Sequence, residues 1–159
     1  MIASLHNTER TPAPVGIDRA ITIGPLTPTG YAFVFSTFGE SLRHVGGGYD
    51  IMLLRNALQR ALRDVECSAV VATPAGDSDE LLGWAVGMRG ALLYAYVRFP
   101  YRRSKLGFHR LGNRLISAVV GDGTIPSALW TRDASQMAAA GYPIRYDLDA
   151  HERFRQLAR

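Results

Sequence analysis

The chain has 159 residues, of which 47% are hydrophobic and 20% charged, and this composition and length favour one globular domain over two. Its single cysteine, Cys67, excludes an internal disulfide framework, and no Cys/His cluster has zinc-site spacing, so we expect no metal. No apolar run reaches the roughly 18–20 residues of a membrane span, so we expect a cytoplasmic protein with no membrane partner.

The first half of the chain predicts one strand and two helices. Residues 1–18 contain no periodic apolar pattern and are expected to form a flexible N-terminal arm, so that the domain occupies residues 19–159. A strand is predicted at 20–26, and a helix with an aromatic face begins at Tyr31 and ends before a Gly-rich loop. Asp50 is expected to cap a second helix that runs to about Asp64. The buried stripe predicted for this helix is Leu54, Leu58, Ala61, Leu62 and Val65.

The second half predicts an antiparallel meander followed by alternating helices and strands. The meander strands are expected at 68–73, 81–87 and 91–98. Helices are expected at 104–120, 134–140 and 149–158, and strands at 125–130 and 144–148. In the third meander strand, Tyr94 and Tyr96 should share one face, and Leu93, Ala95 and Val97 the other. The fold class predicted is therefore α+β, with features of α/β: a single domain with a mixed, mostly antiparallel sheet flanked by helices.

Basic residues are concentrated between the third meander strand and the helix that follows it. The net charge is +4, and six of the basic side chains are Arg98, Arg102, Arg103, Lys105, Arg110 and Arg114. A loop that enters a helix presents unpaired backbone N–H groups and the positive end of the helix dipole, and such a terminus binds pyrophosphate. Basic side chains add charge-assisted contacts, and Gly107 permits close approach of the backbone.

Three segments resemble the GNAT-type N-acyltransferase superfamily. They are Leu82-Gly-Trp-Ala-Val, Leu93-Tyr-Ala-Tyr-Val-Arg and Tyr101-Arg-Arg-Ser-Lys-Leu-Gly-Phe-His-Arg-Leu. The family's loop pattern is (Q/R)-x-x-G-x-(G/A), and its fixed places hold Arg102, Lys105 and Gly107, with lysine in place of the first glycine. The resemblance implies a GNAT-like domain that uses acetyl-CoA or another acyl-CoA. The residues it implies for binding that molecule are Tyr96, Val97, Arg102, Arg103, Ser104, Lys105, Leu106, Gly107 and Phe108.

A later segment, from Trp130 to Tyr142, resembles the end of the same family pattern. Gly141-Tyr142 stands for its Gly-Phe pair, and Met137 occupies the place of the tyrosine that, in many members, protonates the departing thiolate. Other candidates for catalysis are therefore Tyr94 and Tyr96, as acids on the strand, and His44, as an acid/base group placed in the Gly-rich loop. The candidates for binding the unidentified amine acceptor are Ser36, Glu40 and Arg43.

The helix segment Phe33 to Arg43 resembles short phage-encoded GNAT-like proteins, which would place the protein in a host cytoplasm. The sequence favours an enzyme, an acyl-CoA-dependent N-acyltransferase. Two alternatives stay open. One is a phage-type member of the fold that modifies or binds nucleic acid, to which the basic balance is suited. The other is a catalytically silent scaffold or phage assembly or virion protein, which the lost glycine and tyrosine favour.

Overall fold

The computed structural model describes residues 21–45, 48–102 and 108–159, and the expected arm at 1–18 lies outside them. The described chain confirms an α+β single domain with a mixed, mostly antiparallel sheet of six strands. The strands are β1 Ile21–Pro25, β2 Cys67–Pro74, β3 Gly83–Met88, β4 Ala91–Val97, β5 Ile125–Ser127 and β6 Ile144–Tyr146. They lie in sequence order across the sheet. Neighbours from β1 to β4 are antiparallel, whereas β5 and β6 continue the sheet in parallel.

Helices cover both faces of this sheet. They are α1 Tyr31–Val45, α2 Ile51–Ala61, α3 Phe99–Arg102, α4 Phe108–Val120, α5 Arg132–Ala139 and α6 Leu148–Gln156, with a short 3-10 turn at Pro28–Gly30. As predicted, the Asp50 carboxylate caps α2 by accepting a hydrogen bond from the Leu53 amide at 3.0 Å. Across the described ranges, no helix is long and apolar enough to cross a membrane.

Among the element boundaries that differ from the prediction, two are set by hydrogen-bonded turns that end the element early. Helix α2 stops at Ala61, and the amide of Asp64 bonds to the Ala61 carbonyl in a turn (2.9 Å). Val65 is consequently 99% exposed, so its place in the buried stripe was wrong. Strand β5 stops at Ser127, whose hydroxyl donates to the Leu129 carbonyl and turns the chain.

The apolar core is divided by the sheet into two clusters. One lies under α1, α2 and α6 and contains Trp84, Phe38 and Phe154, all at most 1% exposed. The other lies under α4 and α5 and contains Val97 and Leu115, which are fully buried. Burial on both faces fixes β3 and β4 in the middle of the molecule, since fully buried apolar side chains dominate the free energy of folding.

A bulge interrupts β4 near its centre. Val86 pairs with Tyr94 while Gly87 pairs with Leu92, which leaves Leu93 as an extra residue. As a result, the side chains of Leu93 and Tyr94 both belong to the α1 side of the core. The expectation that Leu93 faces away from Tyr94 was therefore wrong, because strict alternation holds only in a regular strand.

Candidate active site

A cleft opens where β4 separates from β5. Within the described residues, the two strands pair at Leu92 and Ser127, and the Ala128 amide adds one hydrogen bond to the Leu92 carbonyl at 2.8 Å. Strand β5 then ends, whereas β4 continues to Val97. The cleft beside this continuation has a volume of about 360 Å³. Its lining residues are Thr37, Glu40 and Ser41 from α1, Tyr94 to Val97 from β4, Phe99 and Arg102 from α3, and Asp133 from α5.

Hydroxyl groups of α1 attach that helix to the strands behind the cleft. The Thr37 hydroxyl donates to the Phe33 carbonyl at 2.7 Å and accepts from the Trp84 indole N–H at 2.8 Å. One turn later, Ser41 donates to the Phe38 carbonyl at 3.1 Å and accepts from the Tyr94 hydroxyl at 3.0 Å. Because buried polar groups are costly without partners, these bonds fix the α1 wall of the cleft relative to β3 and β4.

Tyr94 is a nearly buried phenol in the cleft wall, with 7% of its surface exposed. Burial is the largest influence on its pKa and raises it above the ordinary value of 10.0. The hydrogen bond with Ser41 and the positive charge of Arg102 act in the opposite direction, and the negative charge of Asp133 adds to the increase. The hydroxyl therefore keeps its proton at neutral pH.

Arg102 and Tyr96 form the end of the cleft beyond the bulge. The Arg102 guanidinium lies 4.9 Å from the centre of the Tyr96 ring, and its Nε donates to the Val97 carbonyl. Tyr96 also stacks on Trp84, with ring centres 6.3 Å apart and planes 26° apart. These contacts hold a positive charge at the carboxyl end of β4.

A narrow cavity of about 30 Å³ continues the cleft between β4 and β5. Tyr94, Ala95 and Asp133 line both spaces, and Met137 of α5 lines only the narrow one. The Met137 side chain is 6% exposed and packs in the α4 and α5 side of the core. Its thioether has no acidic proton, so Met137 contributes packing to this cavity and cannot donate a proton.

The cleft brings together part of the predicted site. Tyr94, Tyr96, Val97, Arg102 and Glu40 all line it. Residues 103–107, which include the predicted Arg103, Ser104, Lys105, Leu106 and Gly107, lie outside the described residues. Phe108 begins α4, and its side chain is not described.

Two other predicted site residues stand apart from the cleft lining, and one was placed on the wrong element. Ser36 and Arg43 are exposed on α1, and the Ser36 hydroxyl donates to the Phe33 carbonyl at 3.1 Å. His44 belongs to α1, which extends to Val45, so its placement in the Gly-rich loop was wrong. The helix continues because nothing before Gly46 breaks it.

Of the polar residues that line the cleft, three were not among the predicted site residues: Thr37, Ser41 and Asp133. Asp133 stands in the first turn of α5, where Thr131 caps the helix by accepting from the Ala134 amide at 3.2 Å. The capping threonine and the acidic first turn are visible in the sequence. The sequence does not show that β4 diverges from β5, and it is this divergence that brings Asp133 opposite Tyr94.

A second concavity of about 290 Å³ lies between the β3–β4 turn and α6. Charged side chains of both signs line it: Asp64, Arg89, Asp147 and Arg153. The Arg89 guanidinium is already paired with the Glu66 carboxylate. Next to this space β3 and β4 pair through Met88 and Ala91, so it lacks the strand edge that distinguishes the first cleft.

No protein-family model matches the chain, and no curated protein does either.

Proposed function

We propose that the protein is an acyl-CoA-dependent N-acyltransferase of the GNAT type, which acts on an amine acceptor. The observation that carries this proposal is the separation of β4 from β5 beyond Leu92. Backbone N–H and C=O groups at a strand edge need partners, and an extended chain that carries amides can bond to them as an added strand would. The pantetheine arm of coenzyme A is such a chain. The cleft volume of about 360 Å³ provides room beside Tyr94 to Val97.

The charges around the cleft support an acyl donor that lies along β4 with its phosphates near Arg102. Arg102 lies at the carboxyl end of β4. Arg103 and Lys105, which are expected to contact the phosphates, follow it in the sequence. Glu40 and Asp133 give the cleft two carboxylates, which suit an amine that enters as a cation. Bound there, the thioester supplies an activated acyl group. The protein's residues hold it, exclude water and exchange protons with the amine and the sulfur. We place the reaction in a cytoplasm.

Calorimetric titration with acetyl-CoA tests this proposal. We expect wild-type protein to bind with a Kd on the order of micromolar, and the triple variant Arg102→Ala, Arg103→Ala, Lys105→Ala to bind at least about tenfold more weakly. The matched control removes three arginines far along the chain: Arg153→Ala, Arg155→Ala and Arg159→Ala. This control should bind as wild type does. Absence of binding by the wild type, or equal weakening in both triple variants, would contradict the proposal.

Met137 favours a second candidate, a scaffold that binds the donor without transferring its acyl group. A buried thioether stands where the family resemblance implies an acid, and it lines the narrow cavity that continues the cleft. Release of free thiol from acetyl-CoA in the presence of an amine distinguishes the two candidates. Thiol release that depends on the amine supports the enzyme, and tight binding without release supports the scaffold.

The nucleic-acid hypothesis stays a prediction from charge. Two described arginines already pair with carboxylates: Arg89 with Glu66, and Arg155 with Glu152. These contacts reduce the number of cations free to neutralise a phosphate backbone. Salt-dependent binding to duplex or single-stranded DNA would nevertheless support it.

A further inference from the structure

The backbone just after β5 shows which groups a longer β4–β5 ladder would use. In a parallel pair, the backbone groups of alternate residues face the partner strand. The Ala128 amide faces β4, since it donates to the Leu92 carbonyl at 2.8 Å. The next two groups that a continued β5 would present to β4 are therefore the Ala128 carbonyl and the Trp130 amide.

Side chains from outside the sheet occupy both of these groups. Nδ1 of His151, on α6, donates to the Ala128 carbonyl at 2.8 Å, because a carbonyl can only accept. The Trp130 amide donates to the hydroxyl of Tyr49, which precedes α2, at 2.9 Å. The same hydroxyl donates to the Trp130 carbonyl at 3.4 Å. The rings of Tyr49 and His151 also lie near each other, with centres 6.1 Å apart.

These bonds satisfy backbone groups that need a partner. Ala128 is fully buried, and Trp130 is half-buried. A buried carbonyl or amide without a hydrogen bond is costly, so both groups would pair elsewhere if the two side chains were removed. The alternative that the sheet offers them is the edge of β4. Further pairing there would close the cleft.

Resting on the function proposed above, we infer that Tyr49 and His151 are positioning residues that keep the acyl-donor cleft open. They occupy the β5 groups of the next ladder step, so the edge of β4 from Tyr94 to Val97 stays available to the amides of the donor. The same bonds fix the segment that leads into α5, where Thr131 caps the helix and Asp133 lines the cleft. Neither positioning residue lines the cleft itself, so both act through the backbone of residues 128–130.

Amide hydrogen exchange of the protein without ligand tests this role independently of any acyl donor. In the double variant Tyr49→Phe, His151→Ala, the released groups of β5 should extend the ladder. Amides between Tyr94 and Val97 should then exchange at least about fivefold more slowly than in wild type. Loss of a side chain that only supported the fold would have the opposite effect, since it speeds exchange. Equal or faster exchange at these amides in the double variant would overturn the inference.

Calorimetric titration with acetyl-CoA gives the second measurement. The apparent Kd equals the intrinsic Kd divided by the fraction of molecules whose cleft is open. Binding should therefore be about fivefold weaker in Tyr49→Phe or His151→Ala, and at least about twentyfold weaker in the double variant. Asparagine keeps an N–H donor at the place of Nδ1, so His151→Asn should bind within about twofold of wild type. A double variant that binds as tightly as wild type would overturn the inference.

Tyr146→Phe is the matched control. The Tyr146 ring also lies near His151, with centres 5.8 Å apart, but its side chain is 42% exposed and belongs to β6. The variant leaves the bonds to Ala128 and Trp130 in place, so exchange and binding should match wild type. An effect as large as that of Tyr49→Phe would contradict the role of the two bonds. Failure of wild type to bind acetyl-CoA would instead overturn the proposed function, and the exchange measurement would still decide the inference.

Discussion

Gly83 is a residue of β3 at which the backbone of β4 leaves no room for a side chain. A Cβ atom built there would lie 2.6 Å from the Tyr96 carbonyl oxygen and 3.1 Å from the Leu115 side chain. A backbone oxygen in a central strand cannot move away without displacing Tyr96, which carries part of the cleft wall. Glycine is therefore required here because a Cβ atom has no room, and not because of the backbone conformation.

Gly83→Ala should lower the free energy of unfolding by about 2–3 kcal/mol, because it overpacks the centre of the sheet. The matched control is Gly24→Ala in β1, where a Cβ meets nothing within 4 Å and stability should change by less than about 0.5 kcal/mol. Urea unfolding of both variants measures the difference. Equal stabilities of the two variants would contradict the close approach of β3 and β4.

Individual site residues were predictable to the extent that they lie on a regular element. Tyr94, Tyr96 and Arg102 follow from one strand and the segment after it, and all three line the cleft. Asp133 is more than thirty positions away in the sequence. It meets them only because the sheet places β5 next to β4. Such contacts depend on strand order, which local periodicity does not encode.

At the scale of elements, α1 is the helix that supplies three residues of the cleft wall, and Gly39 lies in its interior. A Cβ at Gly39 would have its nearest contact at 4.0 Å, with the Ile51 side chain, which is an ordinary van der Waals distance. Glycine in a helix interior costs conformational entropy that alanine does not.

Gly39→Ala should therefore raise the free energy of unfolding by about 0.5–1 kcal/mol. The midpoint of urea unfolding, with an unchanged m-value, is the measurement. A variant less stable than the wild type would mean that the Ile51 side chain lies closer than 4.0 Å to the added Cβ atom.

The elements themselves were largely predictable, since strong periodicity fixed the meander and the helices. Their ends were less so. Helix α2 ends early in a turn, and His44 continues α1 instead of entering the loop. The β4 bulge was also missed, because the extra residue, Leu93, is as apolar as its neighbours and leaves no mark on the pattern.

For the whole molecule, burial of ionisable groups predicts a loss of stability at alkaline pH. Burial, assisted by the negative charge of Asp64, raises the pKa of the Cys67 thiol from 9.0 to about 11, and burial also raises that of Tyr94. Both groups hold their protons more tightly when folded. Their contribution is therefore complete below the unfolded pKa values and is lost as pH rises through the folded ones.

The free energy of unfolding of the wild type should consequently fall between about pH 9 and pH 11. In Cys67→Ala this fall should be about 1 kcal/mol smaller than in the wild type, after allowance for partial exposure of the thiol. Urea unfolding at pH 8 and pH 10.5 measures both. The same decline in the variant as in the wild type would exclude Cys67 as a contributor.

Amide hydrogen exchange of the whole protein, with and without acetyl-CoA, tests the central claim most directly. If the acyl donor bonds to the free edge of β4, amides between Tyr94 and Val97 should gain protection on binding, whereas those of β1 and β2 should not change. Protection confined to the concavity around Asp64 and Phe154, or no protection at saturating acetyl-CoA, would contradict it.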